Sequence, residues 1–386
     1  MTTSPVAYQL VSLTQSLRQC SEPAQEDAIH AQLNELVDRL LYEEREDEIR
    51  EALALAEDED TFCNLNERVE WVAEHTTILE EDGSTTLQSL FVVPVVALSQ
   101  GLPSAPRDYL KGPAFQSFLE SFRTQGLLPD DASMVVSPYL YHPDELSKLG
   151  FCTVSDLNDA VHAAVVEGCE VPADALAQTG WPLERDASPG QMVCELRFIL
   201  GTVVSGDEAS ALSLSQPTEA TDGAHDAFIE RGHQWTRAAQ PHVAQMLGLA
   251  TTEVLVVLPL GFFGGFRQGL VALYTLMLFS QATGALEERG LSPRAVRAVI
   301  APFGANGRVD EYRVSLLSLL DGTLVAGLTQ RAIGIISEQD TVAFVRQALL
   351  DVGIEQVQTL YQLQQGEGTF IAAPTADAPP GGGRLQ

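Results

Sequence analysis

The stretch Val254–Phe279, VLVVLPLGFFGGFRQGLVALYTLMLF, decides how this chain is built. It has about the length of a membrane span. Pro259 and four glycines interrupt it, however, and Arg267 and Gln268 stand near its middle. A buried strand ending near Gly261, followed by a buried helix from about Gln268 to Arg289, accounts for it better than a lipid-facing helix. The expected protein has no membrane segment and is cytoplasmic. The turn itself, GFFGGFRQG, follows a strand and opens a helix. That is the right context for an anion at a helix N-terminus. Its spacing is not a dinucleotide fingerprint, and Phe262, Phe263 and Phe266 equally suit a flexible turn that lets aromatic rings pack.

Working outward, the same order recurs earlier in the chain. FVVPVVAL (91–98) resembles VLVVLPLG (254–261), and FRTQGLLPDDASMVVSPY (122–139) lies beside LEERGLSPRAVRAVIAPF (286–303). Each helix ends at a glycine, then Leu, then Pro one residue later. Each returning strand ends in Pro-aromatic, at Pro138-Tyr139 and Pro302-Phe303. Shared punctuation of this kind points to duplication of a strand–helix–strand unit. Continuous apolarity from Leu90 to Leu98 predicts a strand buried on both faces. A helical insertion (about 143–177), the strand CELRFILGTVVSG and a further helix complete the first half. YRVSLLSLL, Asp321-Gly322 and TLVAGLTQRAIG form a hairpin in the second, before the helix TVAFVRQALLDVG and a last strand.

From about Pro23 to His75 the pattern is helical. Ile29, Leu33, Leu36, Val37, Leu40 and Leu41 make one stripe, Ile49, Leu53 and Leu55 a second, and Leu65, Val69 and Val72 a third. Sixteen acidic residues against three arginines lie between Glu43 and Asp82. The expected class is α/β (α+β): an acidic helical region (1–76), then two related ferredoxin-like halves (77–250 and 251–373) packed together, and a disordered tail (374–386).

Charge narrows the function. With 53 Asp+Glu against 22 Lys+Arg, the chain carries a formal net charge of −31 over 386 residues. Such a surface repels phosphate backbones and anionic lipid, so nucleic acid and membrane are poor partners. Solubility is the ordinary use of such charge; a basic protein partner, or mimicry of nucleic acid, is the sharper one. Five cysteines without a CxxC pair fit a reducing compartment with free thiols.

Catalytic signatures are missing from the string: no Walker loop, no GxSxG, no HExxH and no paired CxxC. The seven histidines show no ligand spacing. No metal, cofactor or catalytic residue is assigned, and an enzyme is the less favoured class. Lys111 and Arg267 each precede or open a helix in their half, so a pseudosymmetric cleft between the halves could take an anion. Tyr139, His142 and Arg313 are its remaining candidate lining residues. His142 can equally be first-turn chemistry before Pro143, Asp144 and Glu145. In FGANGRVDEYRV (303–314), Asp310 and Tyr312 fall on one face of a strand and Glu311 and Arg313 on the other, so the carboxylates are no acid–base pair. A ladder with Arg313 paired to a carboxylate is expected.

The strings VVPVVAL, LKGPAF, SPYLYHPDEL and LSPRAVRAVIAPFGANGRVDEYRVSL resemble a betaproteobacterial family of about four-hundred-residue proteins, characterised only as a domain of unknown function. The likeness runs from about Leu87 to Leu320, with DEYR its most specific part. It implies a bacterial, cytoplasmic setting and brings no activity. The leading expectation is a non-enzymatic protein-binding or self-assembly module whose partner is a protein or a second copy of itself. The alternative is a small anionic-ligand-binding protein or enzyme with its site in the cleft.

Overall fold

The computed structural model describes residues 4–20, 22–79, 83–99, 110, 112–128, 132–167, 193–206, 222–305, 308–333, 336–364 and 370. The protein is a mixed α/β structure of two compact units, Met1–Gly269 and Leu270–Gln386. The expected boundary at 250/251 is displaced by strand pairing described below. The Lys111 position, Asp82 and the tail 374–386 lie outside the described residues.

The first unit opens with four helices: α1 (Pro5–Gln19), α2 (Pro23–Tyr42), α3 (Glu46–Leu55) and α4 (Glu59–Glu74). The α2 stripe read from the sequence is the set that α2 buries. Leu10, Leu33, Leu40, Ile49 and Leu65 are fully buried, so each helix turns its apolar side inward; most of its acids face out, but α4 also buries Glu70 and Glu74. Helix α1, for which the apolar stripes gave no prediction, starts at a Ser4 side-chain cap with Pro5 in its first turn.

Beyond α4 the chain alternates between sheet and helix. The elements are β1 (His75–Leu79), β2 (Thr85–Ser99), α5 (Pro113–Thr124), β3 (Ser133–Tyr141), α6 (Pro143–Leu146), α7 (Phe151–Glu167), β4 (Val193–Ser205), α8 (Asp222–Leu247), β5 (Val254–Val256) and β6 (Leu260–Gly261). The sheet order is β1–β2–β4–β3, with β5 and β6 also paired to β2, all antiparallel. Two prolines explain why the 254–261 run is two short strands. Pro94 in β2 has no N–H, and Pro259 lies in the gap between β5 and β6; only the Pro94 carbonyl bridges it, accepting from Val257 N at 2.9 Å. β3 is irregular between Val136 and Leu140, where Pro138 falls on this edge strand.

Both faces of this sheet are covered, which is why β2 is apolar from Leu90 to Leu98. On one face α5 and α8 enclose Phe91, Val93, Val95, Ile199 and Val203. Trp235 stands at the centre of that core, 4.6 Å from Phe122 and 6.0 Å from Phe118. On the other face lie the first turns of α9 (Phe262–Arg289), with Phe266 5.2 Å from Phe198. Helix α9 begins six residues earlier than expected. Gly265 and Gly269 do not break it; a Cβ on Gly265 would strike Val92, and one on Gly269 would lie 2.7 Å from Phe198. Those glycines let the helix sit down on the sheet. Among the described residues, α9 is the one helix long and apolar enough to cross a membrane by length and composition.

The second unit holds β7 (Val296–Ala305), β8 (Arg308–Ser318), β9 (Leu324–Arg331), α10 (Glu338–Val352) and β10 (Gln356–Thr359), with sheet order β10–β7–β8–β9. Its core joins Leu278, Ala282 and Leu286 of α9 with Ala298, Ile300, Val314, Leu316 and Leu349. Here the strand order departs from the expected repeat. The opening strand assigned to this half, β5 with β6, belongs to the first sheet, and β7, β8 and β9 follow one another as a meander. β10 returns parallel to β7 after α10. The local patterns of the two halves are alike, but partner choice depends on distant residues that strand–helix–strand punctuation does not encode.

Candidate functional site

The helix N-terminus opened by GFFGGFRQG is already occupied by the protein's own Glu74 carboxyl group. Phe263 N donates to Glu74 Oε1 at 2.5 Å, satisfying one of the amides that a helix start leaves unpaired. Glu74 ends α4, 189 residues earlier, and is 7 % exposed. Burial pushes its pKa up to about 8, and neighbouring Glu70 pushes the same way; the Phe263 amide and Arg267 oppose this. A Cβ on Gly261 would collide with Glu74 Oε2, so only glycine lets this carboxyl reach the amide.

Arg267 lies one turn further along α9. It holds Glu70 through two bonds, Nη1 to Oε1 at 2.5 Å and Nη2 to Oε2 at 2.8 Å, while Asn66 Nδ2 also donates to Glu70 Oε1 at 2.7 Å. Burial works against the Arg267 charge, and the Glu70 bonds with nearby Glu74 and Glu67 outweigh it. Glu70 and Glu74 are i,i+4 neighbours on α4 with different duties. Glu70 is the ion-pair partner, and Glu74 is the buried cap that retains its proton near neutrality. Beside them His75 stacks on Trp71 at 4.7 Å and donates Nδ1–H to the Trp71 carbonyl at 2.6 Å. Burial holds the pKa of His75 down at about 4, so its ring is neutral.

A second helix start is closed in the same way. Cys152 N, in the first turn of α7, donates to Glu46 Oε2 of α3 at 3.1 Å, and Arg50 is ion-paired to Glu46 Oε1. A Cβ on Gly150 would collide with that carboxylate. Burial and the Glu46 and Asp156 charges push the Cys152 thiol up to about 11, so it is a poor nucleophile. The two capped ends adjoin each other: the rings of Phe151 and Phe263 are 5.4 Å apart. At the N-terminus Ser4 N donates to Glu51 Oε2 at 3.2 Å. The acid-rich helices thus supply carboxylates to helix starts far away in sequence. The signal was a repeated Gly-Phe at a helix start, Gly150-Phe151 and Gly261-Phe262, following an acidic run read as solvated surface or a partner face.

The other candidate lining residues are placed as follows. Lys111 is outside the described residues, and Tyr139 is placed by its backbone in β3 only. His142 caps α6: its Nδ1 accepts from Asp144 N at 3.1 Å, and His142 N donates to Glu145 Oε2 at 2.7 Å. This is the first-turn chemistry weighed against a ligand role. Arg313, in the second unit, donates Nε–H to Glu311 Oε1 at 2.6 Å and lies 4.0 Å over the Phe303 ring. Arg267, His142 and Arg313 are therefore each engaged within their own unit. Among the described residues no group of three or more His, Cys, Asp or Glu side chains is arranged to hold a metal ion.

A family model described as a protein of unknown function, DUF2863, matches residues 1–368. The match takes in the four N-terminal helices as well as the part where the sequence likeness lay. No curated protein and no solved structure matches the chain.

Proposed function

Since the chain belongs to the DUF2863 family, whose description assigns no activity, we propose a role from geometry alone: a non-enzymatic assembly module that binds protein through a sheet edge. One observation carries this. β9 ends the second sheet, and the hairpin leading into it exposes Leu319, Leu320 and Leu324, with Leu320 94 % exposed. An edge with no partner strand among the described residues, beside exposed leucines, offers both a hydrogen-bonding template and apolar area. Against an anion site stands the internal engagement of Arg267 and Arg313 by Glu70 and Glu311. The order β5–β2–β4–β3, with helices after its first and third strands in sequence, supports a ferredoxin-like reading of the first unit. A photo-crosslinking residue at Leu320, activated in cells that express the full chain, should give discrete adducts heavier than the chain. Absence of any Leu320 adduct, with adducts absent also when the probe sits at Leu324, sinks the proposal.

A further inference from the structure

We propose that the first two turns of α9, Phe262–Gly269, form a latch that opens when Glu74 gives up its proton, while the later turns stay in the core of the second unit. This does not depend on the assembly reading above. α9 is anchored at two separate places. Phe262 and Phe266 are buried in the first unit, and Leu278, Ala282 and Leu286 in the second. Between the two anchors Leu276 and Met277 are exposed.

The latch is a poor helix by its own composition. Gly264, Gly265 and Gly269 are three of its eight residues, and each glycine weakens a helix roughly fivefold relative to alanine. Gly265 and Gly269 are also what lets these turns approach Val92 and Phe198, so the residues that seat the latch weaken it. Contacts from elsewhere hold it shut. Phe263 N is bound by Glu74, Arg267 by Glu70, and the Phe263 and Phe266 rings lie against Phe151 and Phe198.

Of these contacts the Glu74 cap is the one that a single proton controls. The carboxyl is buried, and among the described residues no cation bonds it, because the Arg267 guanidinium is held twice by Glu70. The other groups around it are mostly acidic. Its own helix brings Glu67 and Glu70, β1 brings the neutral His75, and α9 brings Arg267. On the α7 side, past the Phe151–Phe263 contact, stand Cys152, Asp156 and Asp159, with Glu46 of α3 paired to Arg50. β2 and β6 contain no titratable residue. An ionised Glu74 is therefore a second buried carboxylate beside Glu70 with one guanidinium between them. Opening the latch lets water reach that charge. Because the carboxyl moves from 4.5 to about 8 on closing, closure is fully stabilised below 4.5 and loses that stabilisation as pH rises toward 8.

The test is hydrogen exchange of the full chain, read by mass spectrometry and corrected for the intrinsic rise of exchange with pH. Protection of peptides covering 262–269 should fall about twentyfold between pH 6.5 and 8.5. Peptides of β7 and β8 should keep theirs, and peptides of β2 and β4 should stay better protected than the latch at every pH. Glu74→Gln should remove the fall. Gly264→Ala, where the nearest atom to an added methyl is 3.9 Å away, should raise latch protection about two- to fivefold and leave the pH slope unchanged. Wild type and Gly264→Ala decide the matter even where Glu74→Gln does not fold. A flat wild-type profile overturns the proposal, as does the same fall in Glu74→Gln. Protection of the latch equal to that of β2 and β4 also overturns it, since the opening would then be unfolding of the whole first unit. An equal fall in β7 and β8 would show that the later turns do not stay docked, and overturns it too.

Discussion

Replacing Glu74 by Gln should abolish a loss of stability that the wild type suffers as pH rises through neutrality. Gln keeps an acceptor for the Phe263 amide and nearly the same shape, but cannot ionise. In the wild type the carboxyl moves from 4.5 when exposed to about 8 in the fold. Between those values the folded state holds a proton that the unfolded state has released, so stability present below 4.5 is lost as pH rises toward 8. Spread over about 3.5 pH units, the loss is on the order of 4–5 kcal/mol. His75 works in the opposite sense: its pKa falls from 6.5 to about 4 on folding. The unfolded state then holds the extra proton, and stability rises with pH from about 4 to 6.5. From about pH 4.5 to 6.5 the two slopes nearly cancel; from 6.5 to 8 Glu74 acts alone, removing about 2 kcal/mol. In the Glu74→Gln variant only the His75 rise should remain, followed by a plateau. Urea titrations at pH 5.5, 6.5 and 8.5 measure the gap between the two proteins. Any fixed cost of seating an amide beside Gly261 is independent of pH and drops out of that comparison. Parallel profiles, with the gap unchanged from pH 6.5 to 8.5, would refute a buried, protonated cap.

Two further substitutions examine the same architecture. Gly261→Ala should cost about 2–3 kcal/mol, because the buried Glu74 has nowhere to withdraw and the Phe263 amide loses its acceptor. Gly150→Ala should cost only about 1 kcal/mol, because Glu46, with 18 % of its side chain exposed, can swing outward. Equal losses in thermal melts of the two variants would contradict the difference in burial. Arg267→Met should destabilise by about 2–4 kcal/mol by leaving Glu70 unpaired, and adding Glu70→Gln should recover part of that loss. Strict additivity in the double-mutant cycle would show that the pair is not coupled.

Local chemistry made most of the elements legible. The α2 stripe from Ile29 to Leu41, the two-faced burial of β2 and the hairpin around Asp321-Gly322 each follow from short-range periodicity and turn residues. The pairing of Glu311 with Arg313 followed from strand alternation alone. Partnerships made across the chain were not legible. Nothing local in VLVVLPLG distinguishes a strand that opens the second sheet from one that completes the first. Arg267 looked available for a related reason: its partner, Glu70, sits in an acidic run 197 residues away. Excess acidity suggested solvation, yet Glu46, Glu51, Glu70 and Glu74 each hold a specific group in the first unit. Composition counts charges and cannot say which of them face inward.

The caps also impose an order on synthesis. Glu74 leaves the ribosome 189 residues before Phe263, the amide it will hold. At elongation speeds of roughly 5–20 residues per second, that wait is about 10–40 s. Through that interval the Glu74 side chain stands in water as an ordinary ionised carboxylate. Docking of α9 then closes the last gap beside β2 and, near neutral pH, draws a proton from the surrounding medium. Completion of the first unit should therefore be a step of nascent-chain folding that takes up a proton and weakens as pH rises.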